Sequence, residues 1–164
     1  MIILGIDPGL AIMGWGVIET NGHKLRLIDY GAVLTDAGTP MPLRLRTLQA
    51  GVRNIISLYN PNEIAFEELF FSRNVTTALL VGAARGAAII AAVDHTDELY
   101  EYTPMQIKQA VTGYGKADKK QIQQMVKLLL NMEDIPKPDD AADGLAVAIT
   151  HAHTSHSKQL FKMK

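Results

Sequence analysis

The sequence predicts an α/β protein: a mixed five-stranded sheet, made of an antiparallel three-strand meander plus two parallel strands, flanked by helices. Three observations carry this reading. Ile2-Ile-Leu-Gly-Ile6 is an apolar run with the length and continuity of a strand buried on both faces. Asn21-Gly22 separates strand-like stretches at 14–18 and 24–30, and both residues tolerate the positive φ that a tight hairpin requires. From residue 42 onward, short apolar runs alternate with segments of helical periodicity, the pattern of parallel strands joined by helices.

Taken in order, Pro8-Gly9 turns the chain after Asp7, and Gly38-Thr39-Pro40 closes the meander. Leu45, Leu48, Val52, Ile55 and Ile56 recur at helical spacing over 42–59, until Asn60-Pro61-Asn62 stops the helix. A short strand at 63–67 runs into a carboxylate, Glu67. The helix expected over 74–93 is apolar nearly all round and rich in Ala and Gly, so it is buried on more than one side. A second subunit is one candidate for that other side, and burial within one subunit is its competitor. A strand at 99–102, a helix over 104–112, the loop 113–115 and a basic amphipathic helix over 118–130 lead to Pro136-Lys137-Pro138. The last helix covers 139–153, with His151, His153 and His156 expected on its exposed side and tail. Residues 1–157 read as one domain and 158–164 as a short basic tail.

A hydrophobic fraction of 48% in 164 residues supplies a core, so disorder is not expected. The absence of cysteine excludes disulfides and thiolate nucleophiles or metal ligands. The chain opens on a strand without a basic leader, and the apolar stretch near 75–93 holds Arg85. A soluble, cytoplasmic protein with no membrane partner is therefore expected. Net charge is −1, but its distribution is uneven. Over 103–127, Lys108, Lys116, Lys119, Lys120 and Lys127 face one acid, Asp118, while the flanking segments are acidic. A basic patch beside an acidic cluster suits a polyanion held next to a metal site. A solvated helix face with ordinary lysines is an equally common arrangement.

Asp7 and Glu67 each end a predicted strand, and neighbouring strands about 5 Å apart would bring the two carboxylates together. Asp140 and Asp143, three apart at the start of the last helix, share a face, although Asp139 and Asp143 would do so too. Singly, each acid has an ordinary explanation: Asp7 as a turn cap, Asp139 or Asp140 as an N-cap after Pro138, Asp143 as a surface acid. Together, four converging acids need a counter-ion. All-oxygen ligands favour Mg²⁺, with Mn²⁺ as substitute, over zinc. Two such ions about 3.5–4 Å apart would support phosphodiester hydrolysis.

Gly5-Ile-Asp-Pro-Gly9, Gly14-Trp-Gly16, Ala65-Phe-Glu-Glu-Leu-Phe70, Gly82-Ala-Ala-Arg-Gly86 and Asp140-Ala-Ala-Asp-Gly-Leu-Ala146 occur in this order along nearly the whole chain. They closely resemble the RuvC family, bacterial Holliday-junction resolvases with a ribonuclease-H-like fold. The resemblance implies a homodimer that cuts opposing strands of four-way junction DNA with Mg²⁺ or Mn²⁺ in recombination and repair. It further implies the RuvA–RuvB branch-migration complex as partner. The family's catalytic, metal-binding acids map onto Asp7, Glu67, Asp140 and Asp143, which selects Asp140 over Asp139. Its important lysines map onto Lys108 and Lys119, and its DNA-stacking aromatic onto Phe70, with Phe71 next to it as the alternative. Arg73, Asn74, Lys116 and Lys120 are further candidate phosphate contacts, the first two by position alone.

Three rival readings are weaker. An actin- or sugar-kinase-like ATPase half would need a second such domain, for which 164 residues leave no room. A non-cutting junction-binding platform would not require all four acids. A related nuclease acting on RNA or flaps does not account for Phe70 and the 82–86 stretch.

Overall fold

In the structure, a computed structural model that describes residues 1–69, 74–154 and 156–164, five strands form one sheet. They are β1 (Ile2–Asp7), β2 (Ile12–Thr20), β3 (Leu25–Leu34), β4 (Glu63–Glu67) and β5 (Leu99–Tyr102), in the order β3-β2-β1-β4-β5. β1 pairs antiparallel with β2 and parallel with β4, and β4 is parallel to β5. The arrangement is the expected meander plus two parallel strands. Strands β2 and β3 outrun the sequence-based bounds. Their ladder continues from Ile12↔Leu34 to Thr20↔Leu25, so backbone pairing holds residues that burial does not, such as the exposed Ile12 and Leu34. Only Gly22 of the hairpin pair takes positive φ, at 93°. Asn21 contributes through its side chain instead, accepting from the backbone N–H of His23 and of Lys24 at 3.2 and 3.0 Å.

Period-two alternation then divides the core. Ile3, Ala65 and Tyr102 face α3 (Pro104–Thr112), α4 (Lys119–Leu129) and α5 (Asp139–His153), packing with Ile107, Val126, Leu145 and Ile149. Leu4, Ile6 and Phe66 face α1 (Met41–Tyr59) and α2 (Val75–Val93), with Leu48, Val52, Ala84 and Ala88. Asn60 ends α1 in the left-handed region at φ 46°. Both α3 and α4 start with reciprocal capping boxes, Thr103 with Gln106 and Asp118 with Gln121. The second box makes Lys119 the first residue of α4.

α5 is buried from Ala141 through Ala152 apart from Asp143, and it reaches the sheet because glycine lines both sides of the contact. A Cβ on Gly14 would lie 1.8 Å from the Asp140 carbonyl oxygen, and one on Gly144 would lie 2.6 Å from Trp15 Cα. Gly14 is also the register partner of Asp7. The missing side chain at Gly14 therefore lets the first turn of α5 sit over the end of β1.

His151 departs from expectation. His153 and His156 are exposed, but His151 is 1% exposed because α5 is covered by the sheet on the side it faces. Its Nε2 lies 2.6 Å from Glu63 Oε2, and the Tyr102 hydroxyl lies 2.7 Å from its Nδ1. An ionised carboxylate can only accept, so Nε2–H donates to Glu63 and Nδ1 accepts from Tyr102. Glu63 also pairs with Lys158, at the start of a 3₁₀ turn (Lys158–Phe161). Beyond it, Lys162 pairs with Glu98 at 2.9 Å and the Met163 N–H donates to the Leu99 carbonyl at 2.9 Å, so the tail runs along the outer edge of β5.

Burial pushes the His151 pKa down, against the opposing pull of Glu63. The unfolded imidazole titrates near about 6.5, so below that pH the unfolded chain binds more protons than the folded one. The stabilising contribution of neutral His151 is present above that value and is lost as pH falls through the depressed folded pKa. Urea midpoints are expected to drop between about pH 7.5 and about pH 5.5, and His151→Gln is expected to flatten that dependence. Equal slopes for both proteins would contradict this role.

Candidate active site

The parallel register of β1 and β4 (Gly5↔Ala65, Ile6↔Phe66) brings Asp7 and Glu67 side by side at the same end of the sheet. The two carboxyls are close enough for each to shift the other's pKa. α5 adds Asp140 from its first turn and Asp143 from the next. One carboxylate oxygen from each of Asp7, Asp140 and Asp143 lies within 4.8 Å of the others. Asp139, which the helical spacing alone left open, is not part of this group. It points to Lys119 instead, 3.6 Å from the ammonium.

Without a cation the cluster is electrostatically unfavourable, and Asp7, Glu67 and Asp143 are all pushed toward their protonated forms. Burial, then the charges of Glu67 and Asp143, push the Asp7 carboxyl up to about 9. Burial also raises Glu67 and Asp143, while Lys119 pulls both downward and Lys108 adds to that pull on Glu67. Asp7 and Glu67 are both raised by burial, so the pair favours keeping a shared proton. A buried all-carboxylate donor set that retains a proton near neutrality fits a hard divalent cation, which would replace that proton.

Lys119 and Lys108 form the cationic wall. Lys119 Nζ is 3.4 Å from Asp143 Oδ2. Burial opposes its charge, but Asp143, Asp139 and Asp140 outweigh that effect and raise its pKa. Glu67, Asp143, Lys108 and Lys119 line a cleft of about 240 Å³, floored by apolar residues that include Ile107, Ile122 and Ala146. On the other side of Glu67, a second cleft of about 270 Å³ holds Asp7, Glu68, Thr77 and Arg85, with Arg85 anchored to Glu101 at 2.5 Å.

Of the other candidate contacts, Asn74 caps α2, its side chain accepting from the Thr77 N–H at 3.2 Å. Lys116 and Lys120 are exposed on the α3–α4 loop and the first turn of α4. Phe70, Phe71 and Arg73 lie outside the described residues. Sequence reasoning did not register the Asp139–Lys119 pair or the second cleft. The Asp118-Lys-Lys-Gln121 capping pattern was legible, and it fixes where Lys119 emerges.

Residues 3–151 match the family Crossover junction endodeoxyribonuclease RuvC. The chain belongs to that family. It is 57% identical over 164 residues to the crossover junction endodeoxyribonuclease RuvC of Alkaliphilus oremlandii, covering 100% of both chains. A relative from Brevibacillus brevis is 56% identical over 152 residues, covering 93% of this chain and 92% of its own. Among solved structures, Thermus thermophilus RuvC in complex with a Holliday junction substrate superposes with a TM-score of 0.90 at 38% identity, covering 94% of each chain. A second structure of that protein gives 0.86 at the same identity, covering 95% and 96%. The sheet order and flanking helices are accordingly those of the family's ribonuclease-H-like fold.

Proposed function

We propose that the chain is a structure-selective endodeoxyribonuclease that resolves four-way DNA junctions by metal-dependent phosphodiester hydrolysis. The observation that carries this is the convergence of Asp7, Asp140 and Asp143, with Glu67 beside Asp7 at the end of the paired strand β4, in a chain of this family. The four acids would hold divalent cations, Mg²⁺ or Mn²⁺, in a two-ion site. When bound, such ions supply the positive charge that lets water attack phosphorus at neutral pH and that stabilises the leaving oxygen.

The chain's own contribution is positioning and charge. Asp7 is fixed by the β1 ladder, and Glu67 by its place in register at the end of β4. Asp140 and Asp143 are fixed by the buried α5. Lys108 and Lys119, on the cleft wall, would offset negative charge as it grows on the phosphate oxygens. Lys116 and Lys120, exposed on the α3–α4 loop and in the first turn of α4, would add phosphate contacts that set affinity. A nuclease acting on chromosomal DNA in a bacterium works in the cytoplasm, the compartment we propose. RuvA–RuvB is the partner complex that family membership suggests.

Junction resolution needs two cuts, and α2 offers a surface for a two-fold partner. It is long and apolar enough to cross a membrane by length and composition, with mean hydropathy 1.7 and 28% burial. Yet Ala84, Ala88, Ala91 and Ala92 pack it onto this domain's own core, leaving a one-sided apolar face with Leu79 and Ile90 exposed. Such a face favours a second copy of the chain over lipid. Sedimentation is expected to give a dimer at micromolar concentration, and Leu79→Glu to shift it to monomer. A wild-type monomer even with junction DNA present would contradict this arrangement.

The functional reading is tested by incubating the protein with mobile four-way junctions, linear duplex and flap DNA, with and without Mg²⁺. Paired cuts near the crossover, only with metal and only in the junction, are expected. Equal cutting of duplex or flap would replace junction selectivity with a general nuclease.

A further inference from the structure

An exposed aromatic ring stands beside the acid cleft, on the loop between α3 and α4. Tyr114 is 56% exposed, yet the backbone carrying it is firmly held. Gly113 closes α3 in the left-handed region at φ 75°, and its carbonyl accepts from Gln109 Nε2 at 2.9 Å. The Thr112 hydroxyl accepts from the Tyr114 N–H at 3.1 Å and lies 3.0 Å from the Tyr114 carbonyl, which also accepts from the Ala117 N–H at 3.1 Å. A ring presented from an ordered backbone loses little entropy on engaging a ligand.

The ring also borders a space of suitable character. Tyr114, Thr112, Ala117, Gln121, Gln124 and Met125 are among the residues that wall a cavity of about 430 Å³. Ala117 and Asp118 line both this cavity and the cleft of Glu67, Lys108, Lys119 and Asp143, so the two spaces adjoin. Lys120 lines the cavity, and Lys116 is exposed two residues beyond Tyr114. The one acid on its wall, Asp118, is engaged as the α4 cap, accepting from the Gln121 N–H at 2.8 Å. Apolar walls, a stacking ring and flanking cations, beside a cleft proposed to hold a phosphodiester, match one occupant: a nucleobase on a phosphate-linked strand.

We propose that Tyr114 and this cavity receive an unpaired base of the junction strand that passes through the acid cleft, with Lys116 and Lys120 on the neighbouring phosphates. The inference rests on the acid cleft being the cutting centre. Base–aromatic stacking is tolerant of sequence, so the cavity would select for an unstacked base more than for a particular one.

The test uses the Asp7→Asn protein, expected to bind without cutting, and four-way junctions carrying one 5-iododeoxyuridine at successive positions around the scissile phosphate. Ultraviolet cross-linking is expected to map to Tyr114 in the 109–116 tryptic peptide for one or two adjacent positions. Tyr114→Ala is expected to remove that adduct and weaken junction binding about fivefold or more. Tyr114→Phe, which keeps the ring, is expected to restore affinity, separating stacking from loop collapse. Cross-links only at other peptides, or junction affinity unchanged by Tyr114→Ala, would overturn the proposal. An equal loss of affinity for fully paired duplex would overturn it as well, because no unpaired base is then involved. If the parent Asp7→Asn protein still cut, the reading of the acid cleft would fail instead, an outcome visible on the same gels before irradiation.

Discussion

Asp7→Asn is expected to abolish junction cleavage, to leave junction binding largely intact and to make the cation-free protein more stable. All three effects come from one carboxylate. Asp7 is the proposed metal ligand at the centre of the cluster, so its loss is expected to reduce the single-turnover rate by at least ~1,000-fold, the scale of losing a principal source of transition-state charge stabilisation. With binding proposed to rest mainly on lysine–phosphate contacts, affinity should change little. The stability effect follows from sign. With its pKa pushed up to about 9, Asp7 binds its proton more tightly in the fold than in the unfolded chain, where a carboxyl titrates near about 3.9. Its stabilising contribution in the cation-free protein is complete below about pH 4 and is lost as pH rises through about 9. Asparagine carries no such penalty. Near neutral pH and in chelator, Asp7→Asn should therefore melt a few degrees above wild type, and the gap should widen as pH rises. Thermal melts across pH check the sign, and a lower melting point for the variant would contradict it.

Lys119→Ala is expected to have the second large effect, on rate more than on affinity. The ammonium lies 3.4 Å from Asp143 and lines the cleft with Glu67 and Lys108. A cation there gains most when negative charge builds on the phosphate, so the single-turnover rate at saturating enzyme should fall about 10- to 1,000-fold. Removing one phosphate contact should shallow the log–log salt dependence of junction binding by about one unit at most. Lys119→Arg should recover part of the rate, since it restores charge with a different shape. A rate unchanged at saturation, with only weaker binding, would make Lys119 an ordinary phosphate contact.

The sheet was legible because its signals are local. The apolar runs, the Asn21-Gly22 turn and the helical spacing after residue 42 each act over a few residues, and together they specify order and direction. Asp7 and Glu67 were legible as partners for the same reason: each ends a strand, and those strands pair in register. The third and fourth acids required more. Helical spacing could not choose between Asp139 and Asp140, and the choice depends on how α5 docks. That docking is set by the absence of side chains at Gly14 and Gly144, a steric fact about two segments more than 100 residues apart that neither states alone. His151 was misread because its polar chemistry suggests solvent, whereas its actual partners, Glu63 and Tyr102, come from two strands beneath α5. Lys116 and Tyr114 were visible as residues, but the cavity beside the cleft exists only once α3 and α4 are packed. The stacking role assigned to Phe70 rests on the family resemblance alone.

The central claim is that Asp7, Glu67, Asp140 and Asp143 jointly hold the divalent cations used for cutting. Calorimetric titration of Mn²⁺ into the protein tests it most directly, performed in two buffers of different ionisation enthalpy. Wild type is predicted to bind and to release a proton as the cation displaces it from the acid cluster, while Asp7→Asn and Asp143→Asn lose most of the affinity. Binding of equal strength in wild type and both variants would contradict the claim.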